Sequence, residues 1–287
     1  MNIRLVGIVT RADSPDVEEK GKQLQSWFND RGIEVRLNAQ PDTDMDMMVV
    51  LGGDGTLLHV AKHASTLDIP VLGINLGNLG FLTEVAADEI YYSLETVLAG
   101  DYRVEERSML SASVVHGDDG AKSEPTYALN EVVIVKGSTE HMVRLRCWAD
   151  REYITTYRAD GLIFSTATGS TAYNLSAGGP IAHAELDTIL VTPICPFMLE
   201  SRPVLLAPYT KITSQLLAPA GEVKVIVDGG LTWKITEDDY LLVQRASKPL
   251  RLISSPLKSY FTILRNKLNW GGTGPDLPLP KLVCKHC

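Results

Sequence analysis

The sequence has little cysteine and no long apolar run. Its four cysteines, in a chain of 287 residues, are too few and too scattered for a disulfide framework, which favours a reducing compartment. No window reaches the ~18 uninterrupted apolar residues of a membrane-spanning helix, and the apolar start at residues 1–9 is too short for a secretory signal. We therefore expect a cytoplasmic protein that has no membrane partner.

Positive charge is also scarce. The chain has 27 lysines and arginines against 35 aspartates and glutamates, which gives a net charge of −8. A nucleic-acid surface needs a basic face to neutralise phosphates, so this balance predicts no nucleic-acid partner. A nucleotide ligand stays compatible with it, because a few local donors can hold one anion inside an acidic protein. The hydrophobic fraction of 45% and the charged fraction of 22% are typical of a globular chain.

The length predicts two domains, because single cores rarely grow much beyond this size. Residues 1–100 alternate short apolar runs with helical segments, which is the pattern of a parallel sheet with helical crossovers. We therefore predict an N-terminal α/β nucleotide-binding domain. Its predicted strands lie at 3–9, 33–37, 47–51 and 71–74, and its predicted helices at 15–28, 57–64 and 88–99.

Residues 101–270 have a different texture, with short strand-like runs separated by turns. This pattern predicts a β-rich, sandwich-like C-terminal domain whose last segment, about 250–270, packs back on the first domain. From 271 to 287 the chain is rich in glycine and proline, and we expect a disordered tail. The Cys284-x-x-Cys287 pair lies there without a second pair at zinc-site spacing, which favours an unstructured end over a metal site. The predicted strands are 109–115, 128–135, 143–148, 162–165, 204–206, 211–216, 223–227 and 240–245.

A glycine loop lies between the third predicted strand and the helix after it. Gly52, Gly53 and Gly55 let a ligand approach the backbone amides, and Thr56 is predicted to cap the helix, whose N-terminus is a natural anion site. The loop has neither the Walker A nor the GxGxxG pattern. Its carboxylate, Asp54, would repel a phosphate, which suggests that it accepts the proton of an attacking hydroxyl. The alternative is an ordinary Asp-Gly turn.

Two further segments are rich in residue types that bind ligands. The glycine-bearing segment 73–82 follows the next predicted strand, so both loops are expected at the carboxyl edge of the sheet, where α/β sheets bind ligands. The alternative for this segment is an ordinary βα turn. The run 165–180 is dense in hydroxyls, amides and glycines and contains no lysine or arginine. It suits a base and a ribose better than a bare phosphate, and the alternative is a Ser/Thr-rich linker.

Taken together, these motifs resemble the bacterial NAD kinase family. The likeness runs from the first strand to about Trp270, with the motifs in the family's order and at similar spacings. The glycine loop is also shared with lipid kinases and, loosely, with phosphofructokinases, whereas the 168–173 run is specific to the family. The motifs are Gly52-Gly53-Asp54-Gly55-Thr56, the 73–82 segment, Asn130-Glu131, Thr168-Gly169-Ser170-Thr171-Ala172-Tyr173 and Gly178-Gly179-Pro180.

The resemblance implies a reaction and a set of site residues. The ATP γ-phosphoryl group would pass to the 2′-hydroxyl of the adenosine ribose of NAD, giving NADP, with a divalent cation such as Mg²⁺ accompanying ATP. Some family members accept polyphosphate, and members assemble as homodimers or homotetramers. Asp54 would be the catalytic base, and no residue is assigned as a metal ligand. The residues implied to contact NAD are Asp54, Gly55, His59, Asn130, Glu131, His141, Arg158, Asp160, Thr168, Thr171, Ala172, Tyr173, Asn174, Leu175, Ser176 and Asp228, and the phosphate-binding loop comprises Gly52, Gly53, Gly55 and Thr56.

Particular roles follow from the same resemblance. Glu131 would hold ribose hydroxyls and Asn130 the adenine edge, with help from Thr168 and Thr171. Asp160 would accept a hydrogen bond from the nicotinamide amide.

The sequence departs from the family at two places. Ala167 stands where members commonly have proline, and Gly230 stands where members often have a glutamine that contacts the dinucleotide. No side-chain contact is therefore expected from residue 230. Two alternative functions remain open from the sequence: a lipid kinase of the same superfamily, and a catalytically idle dinucleotide-binding regulator. The chain has no basic amphipathic helix to support the first, and an intact Asp54 speaks against the second.

Overall fold

The computed structural model describes residues 3–12, 14–77, 80–117, 120–137, 141–198, 201–217 and 221–270. The predicted tail at 271–287, with its cysteine pair, lies outside the described residues. The α-helices are α1 (Pro15–Asn29), α2 (Asp54–Leu67), α3 (Ile90–Leu98), α4 (Tyr173–Ser176) and α5 (Tyr260–Leu268), and 3₁₀ turns lie at Ala87–Glu89 and Thr168–Thr171. The strands are β1 (Leu5–Thr10), β2 (Glu34–Leu37), β3 (Met47–Leu51), β4 (Val71–Asn75), β5 (Val85–Ala86), β6 (Val104–Arg107), β7 (Leu110–Val115), β8 (Thr126–Ala128), β9 (Glu131–Lys136), β10 (Val143–Ala149), β11 (Glu152–Ala159), β12 (Gly161–Thr166), β13 (Ile189–Ile194), β14 (Val204–Leu206), β15 (Ile212–Leu217), β16 (Val223–Val227), β17 (Leu231–Ile235), β18 (Tyr240–Arg245) and β19 (Leu250–Ile253).

The first sheet is a covered, mostly parallel sheet of seven strands in the order β2-β1-β3-β4-β19-β6, with β5 paired to β4. Only the β19–β6 pair is antiparallel. Every residue of β3 and β4 is buried, as expected for parallel strands with helices on both faces. Helices α1 and α3 contribute to the apolar cluster on one face, and α2 contributes to the cluster on the other.

Helix α1 shows why the sequence forms crossovers here. It begins with Pro15, whose missing N–H costs nothing in the first turn, and acidic residues follow where the helix dipole favours them. Its buried residues recur at helical spacing and face the sheet. They are Val17, Gly21, Leu24 and Phe28.

The second half of the chain forms a β-sandwich. One antiparallel sheet has the order β11-β10-β15-β18-β7-β8, and the other has the order β14-β13-β12-β9-β16-β17. Inward-facing apolar residues of both sheets form one large buried cluster, with Phe164 among its largest side chains. The predicted fold class, an α/β domain followed by a sandwich-like domain, is confirmed.

A third apolar cluster joins the two halves. It contains Leu57 of α2 together with Leu129, which lies between β8 and β9 of the two sandwich sheets. Leu57 is three residues after Asp54, and Leu129 is next to Asn130. Packing of these two leucines in one core therefore brings the glycine loop and the Asn130-Glu131 corner to the same part of the molecule.

Several element predictions were wrong. The run 128–135 is two strands in different sheets, because the chain turns a corner at Leu129 and Asn130 between β8 and β9. Strand β6, from beyond residue 100, was not predicted and belongs to the first sheet, as does β19, which lies in the segment predicted to pack back on the first domain. Strands β11 and β17 were missed since half or more of their residues are polar or exposed.

Helix α2 begins at Asp54, earlier than the predicted start at residue 57. Gly53 is its N-cap, and the N–H of Thr56 donates to the carbonyl of Gly53. Thr56 is therefore inside the first turn, and the prediction that it caps the helix was wrong. Within the described ranges, no helix is long and apolar enough to cross a membrane.

Candidate active site

Asp54 lies at the carboxyl edge of the first sheet, at the start of α2. The turn after β4 donates four hydrogen bonds to its carboxylate. The N–H of Phe81 donates to Oδ2 at 2.8 Å, and the N–H groups of Leu82 and Thr83 donate to Oδ1 at 3.1 and 3.0 Å. The Thr83 hydroxyl donates to Oδ1 at 2.9 Å. Oδ1 thus has three donors, and Oδ2 keeps room for another.

Close approach of this turn to Asp54 depends on Gly80. A Cβ at Gly80 would lie 1.9 Å from Asp54 Oδ1, so a side chain there would displace the carboxylate. Asn75, at the end of β4, supports the turn from below: its Nδ2 donates to Thr83 Oγ1 at 2.9 Å, and its Oδ1 accepts from the Gly77 N–H at 2.8 Å. The turn after β4, in the second glycine segment, therefore holds the Asp54 carboxylate in position.

The glycine loop borders an open cleft of about 510 Å³. A Cβ built on Gly53 or Gly55 would meet nothing within 4 Å, so glycine at these positions is not required by packing. The positive end of the 14-residue helix α2 faces this cleft. Arg11, after β1, and His59, on α2, line the same space and are exposed. The cleft thus offers cationic and backbone donors suited to phosphate groups.

Glu131 lies at a corner of the sandwich that Asp228 holds. Asp228, in the left-handed region at φ 45°, accepts hydrogen bonds from three successive N–H groups: Leu129 at 2.7 Å, Asn130 at 2.9 Å and Glu131 at 3.0 Å. Burial raises the pKa of Asp228, and these three donors act in the opposite direction. Asp228 therefore shapes the corner that presents Asn130 and Glu131.

The Thr168 run is built directly on that corner. The Thr166 hydroxyl donates to the Leu129 carbonyl at 2.6 Å and accepts from the Gly169 N–H at 2.9 Å. A Cβ at Gly169 would lie 2.1 Å from the Asn130 carbonyl oxygen, so the two segments touch through their backbones. Two motifs that are far apart in the sequence therefore form one wall.

This wall contains two buried polar atoms without a hydrogen-bond partner in the described structure, Glu131 Oε2 and Thr168 Oγ1. Burial and, to a smaller extent, the charge of Asp228 raise the pKa of Glu131 to about 7, against the opposing effect of a hydrogen bond from the Tyr173 N–H. Unpaired buried polar atoms are costly unless a ligand satisfies them. Their position therefore indicates where hydroxyl groups of a ligand would bind.

Other predicted residues of this run have different surroundings. Asn174 is fully buried: its Nδ2 donates to the carbonyls of Ser170 and Pro180, and its Oδ1 accepts from the Thr192 hydroxyl at 2.6 Å. Its side chain is occupied in holding the loop, which does not favour the predicted ligand contact. Tyr173 and Ser176 are exposed, and Thr171, Ala172 and Leu175 are partly exposed, so these residues are open to a ligand.

Asp160, Arg158 and His141 lie towards the far end of the sandwich sheets. Asp160 follows β11, and its Oδ1 is paired with Lys136 Nζ at 2.6 Å. The Arg158 guanidinium stacks over the exposed ring of Phe197, 4.9 Å from its centroid. His141 is exposed in the connection before β10. No described contact joins these three to Asp54 or Glu131.

Helix α2 and the β16–β17 turn face each other across a cleft of about 310 Å³. Gly55 and His59 line one side, and Asp228 and Gly230 line the other. The glycine loop therefore lies opposite the sandwich corner across this cleft. The apolar cluster that contains Leu57 and Leu129 is consistent with this arrangement. The sequence analysis did not predict Arg11 or Lys136, and it did not predict that donors at Phe81–Thr83 hold the Asp54 carboxylate. Only the position of Arg11 just after the first predicted strand could have indicated its role.

The described residues contain no group of three or more histidine, cysteine, aspartate or glutamate side chains arranged to hold a metal. A carboxylate and an open glycine loop at the carboxyl edge of a parallel sheet, together with a polar wall on the second domain, are the features of a nucleotide-dependent phosphotransferase.

Comparison with known proteins narrows this class. The family model of the ATP-NAD kinase N-terminal domain matches residues 18–102, and that of the C-terminal domain matches residues 129–255. The NAD kinase of Geotalea daltonii is 46% identical over 284 residues, and that of Geobacter metallireducens is 41% identical over 284 residues. Each alignment covers 94% of this chain and 99% of the relative. The chain belongs to the NAD kinase family.

Solved structures agree on the fold. The yeast NADH kinase complexed with NADH matches with a TM-score of 0.84 at 23% identity, covering 97% of this chain and 90% of that chain. The NAD kinase from Archaeoglobus fulgidus in complex with ATP matches with a TM-score of 0.73 at 23% identity, covering 93% and 96%. The sequence relatives confirm the expected family over nearly the whole chain, and the solved structures confirm its fold.

Proposed function

We propose that this protein is an ATP-dependent NAD kinase that transfers the γ-phosphoryl group to the 2′-hydroxyl of the adenosine ribose of NAD. The observation that carries this proposal is the Asp54 carboxylate, held by four hydrogen bonds at the start of α2 and next to an open glycine loop. A sandwich wall with two unpaired buried polar atoms supports it. Sequence relatives named NAD kinase support the choice of acceptor.

Asp54 is the general base in this proposal. As the new bond forms between the ribose oxygen and the γ-phosphorus, the bond from that phosphorus to the bridging oxygen of ADP breaks. The proton of the 2′-hydroxyl passes to Asp54 Oδ2, the oxygen that has one described donor against three on Oδ1. A carboxylate can take this proton late, because charge builds on the attacking oxygen in the transition state.

The phosphates of ATP occupy the cleft over Gly53 and Gly55, where backbone amides and the α2 dipole favour negative charge. Arg11 and His59 supply the side-chain donors. A divalent cation such as Mg²⁺ would accompany ATP, because it prefers hard oxygen ligands such as phosphate oxygens. Its charge would reduce the repulsion between these phosphates and Asp54.

NAD binds against the sandwich wall in this arrangement. Glu131 accepts hydrogen bonds from ribose hydroxyls, and the Thr168 hydroxyl donates to or accepts from them, because each residue has a buried polar atom without a partner. Asn130 reads the adenine edge, Asp160 reads the nicotinamide amide, and Tyr173 supplies an exposed aromatic ring. Removal of the charge by Glu131→Gln should weaken NAD binding, which isothermal titration measures.

The decisive experiment combines purified protein with NAD, ATP and Mg²⁺ and measures NADP through an NADP-specific dehydrogenase. NADP formation that depends on ATP is expected, and its absence at all cation concentrations would refute the proposal. Replacement of NAD by diacylglycerol, with release of ADP as the measurement, tests the lipid-kinase alternative. Replacement of ATP by polyphosphate in the NADP assay tests whether ATP is needed. Light scattering during gel filtration tests the homodimer or homotetramer, and fractionation of cells tests the cytoplasmic location that we propose with this function.

Arg11 provides a separate test of the phosphate cleft. Arg11→Ala removes a guanidinium that lines the cleft just after β1, so the KM for ATP should rise about tenfold while the KM for NAD changes little. Arg151→Ala removes the same charge at the exposed turn between β10 and β11 and is the control. Equal effects of both variants on the KM for ATP would contradict a direct role for Arg11.

A further inference from the structure

A buried ion pair lies directly behind the turn that holds Asp54. Glu84 follows Thr83, whose N–H and hydroxyl both donate to Asp54. Its carboxylate is 3.5 Å from the Arg107 guanidinium, and the exposed fractions of the two side chains are 8% and 3%. Side chains this deeply buried stay charged only when they are paired, because desolvation of a single ion costs on the order of several kcal/mol.

Glu84 also ties the turn to a third part of the chain. The Ser255 N–H donates to Glu84 Oε2 at 3.0 Å, and Lys258 Nζ donates to the Glu84 carbonyl at 3.3 Å. Ser255 and Lys258 follow β19, which returns to the first sheet from the far end of the described chain. Through Glu84, the Asp54 turn is therefore fixed to β6 on one side and to the segment after β19 on the other.

The charge of Asp54 also acts on Glu84. Burial raises the pKa of Glu84, and the charges of Glu105 and Asp54 act in the same direction, while the Ser255 N–H and Arg107 act against them. Arg107 and the Ser255 N–H thus offset part of the cost of burying the Glu84 carboxylate.

We propose that Glu84 and Arg107 are positioning residues for Asp54, which fix the Phe81–Thr83 turn so that its four donors hold the Asp54 carboxylate in place. This inference rests on the proposed function, since a defined carboxylate position matters most for proton transfer to it. Misplacement of a reacting group by about 1 Å can cost about 100-fold in rate.

Glu105 provides a matched control. It pairs with the same guanidinium, at 2.7 Å, and its side chain is 17% exposed. It lies on β6, however, and has no described hydrogen bond to the Asp54 turn. Glu84→Gln and Glu105→Gln therefore both remove one negative partner of Arg107, but only the first acts on the turn.

The test compares kcat, the two KM values and the melting temperature of both variants, assayed well below their melting temperatures. Glu84→Gln should lower kcat about tenfold or more and leave both KM values within about threefold, because the ligand contacts are elsewhere. Glu105→Gln should leave kcat within about threefold of the wild type at a similar loss of stability. Equal kcat losses in the two variants, or a wild-type kcat in Glu84→Gln, would overturn the proposal.

A second measurement does not depend on turnover. Hydrogen exchange of the peptide containing the Phe81–Thr83 amides should be about tenfold or more faster in Glu84→Gln and unchanged in Glu105→Gln. Unchanged exchange in Glu84→Gln would overturn the proposal even in a protein that lacks kinase activity, whereas missing wild-type activity would refute the proposed function alone.

A double variant provides a test in case Glu84→Gln alone folds poorly. Glu84→Gln/Arg107→Gln removes both buried charges together, which is tolerated better than removing one. It should show the same low kcat and fast exchange, and wild-type values of both would again overturn the proposal.

Discussion

Asp54 on the first sheet and Glu131 on the sandwich are carboxylates in opposite circumstances. Asp54 is partly exposed and accepts four hydrogen bonds from one turn. Glu131 is buried and keeps one oxygen without a partner, next to the unpaired hydroxyl of Thr168. The group assigned to the reaction is fixed before any ligand binds, whereas the groups assigned to recognition are left unsatisfied for the ligand.

A physical reason underlies this difference. A reacting group gains from a position that is set in advance, since no reorganisation is then needed in the transition state. A recognition group gains affinity and selectivity from its unmet hydrogen bonds, because only the correct ligand satisfies them. Unmet hydrogen bonds lower the stability of the free protein, so substitutions in the two regions should differ in stability as well as in activity.

The largest effect is expected from Asp54→Asn. Loss of the base should lower kcat by about 10³-fold, while NAD binding persists because the sandwich wall is unchanged. Steady-state kinetics and isothermal titration with NAD measure the two quantities. A variant with wild-type turnover would show that Asp54 is not the base.

Gly80→Ala should have the next largest effect on kcat. It changes the turn that holds Asp54 and does not remove the carboxylate itself. Its new Cβ would lie 1.9 Å from Asp54 Oδ1, so the turn and the carboxylate cannot both keep their positions. We expect kcat to fall about 10- to 100-fold. Gly77→Ala is the control, since its Cβ would meet only Asn75 Oδ1 at an ordinary 3.7 Å and should leave kcat nearly unchanged.

Glu131→Gln should weaken NAD binding about tenfold and stabilise the free protein at alkaline pH. The pKa of Glu131 is about 7 when folded against 4.5 ordinarily, so between these values the unfolded chain releases a proton that the folded chain keeps. Stability therefore falls as the pH rises through this window. The Glu131→Gln variant has no carboxyl group at this position, so its stability does not fall in this way.

Its gain over the wild type should accordingly grow from pH 5 to pH 8 and reach about 1–3 kcal/mol. Urea unfolding at several pH values measures it. A gain that does not depend on pH would mean that Glu131 is not buried as a titrating carboxyl group.

The smallest effect is expected from Thr168→Val. Removal of an unpaired buried hydroxyl should leave stability unchanged or raise it by about 1 kcal/mol, and should weaken NAD binding about threefold to fivefold. Thr166→Val is the control, because the Thr166 hydroxyl has two hydrogen bonds, and its loss should destabilise the fold by about 1–3 kcal/mol. Melting curves and titration separate the two, and a clear destabilisation by Thr168→Val would show that its hydroxyl is already satisfied.

Local sequence patterns were informative where hydrophobic periodicity was strong. Strand β3 was predicted with its observed bounds, and α1 was predicted to within one residue, since buried apolar runs and Pro15 mark them clearly. Strands β6 and β11 were missed because β6 reads Val-Glu-Glu-Arg and half of the residues of β11 are Glu, Thr or Arg. The corner at Leu129 and Asn130 was read as part of one strand, since an apolar run does not reveal a change of sheet.

The fold class, the family and the residue types of the site could be predicted from the sequence, because glycine loops, hydroxyl-rich runs and apolar periodicity are local properties of the chain. The role of each polar group became clear from the three-dimensional structure alone. Asp228 and Asn174 are occupied in holding backbone, whereas Glu131 and Thr168 remain unpaired, and Asp54 is held by a turn whose support comes from Arg107 and Ser255. Hydrogen-bond satisfaction depends on partners far apart in the chain, and no local pattern contains that information.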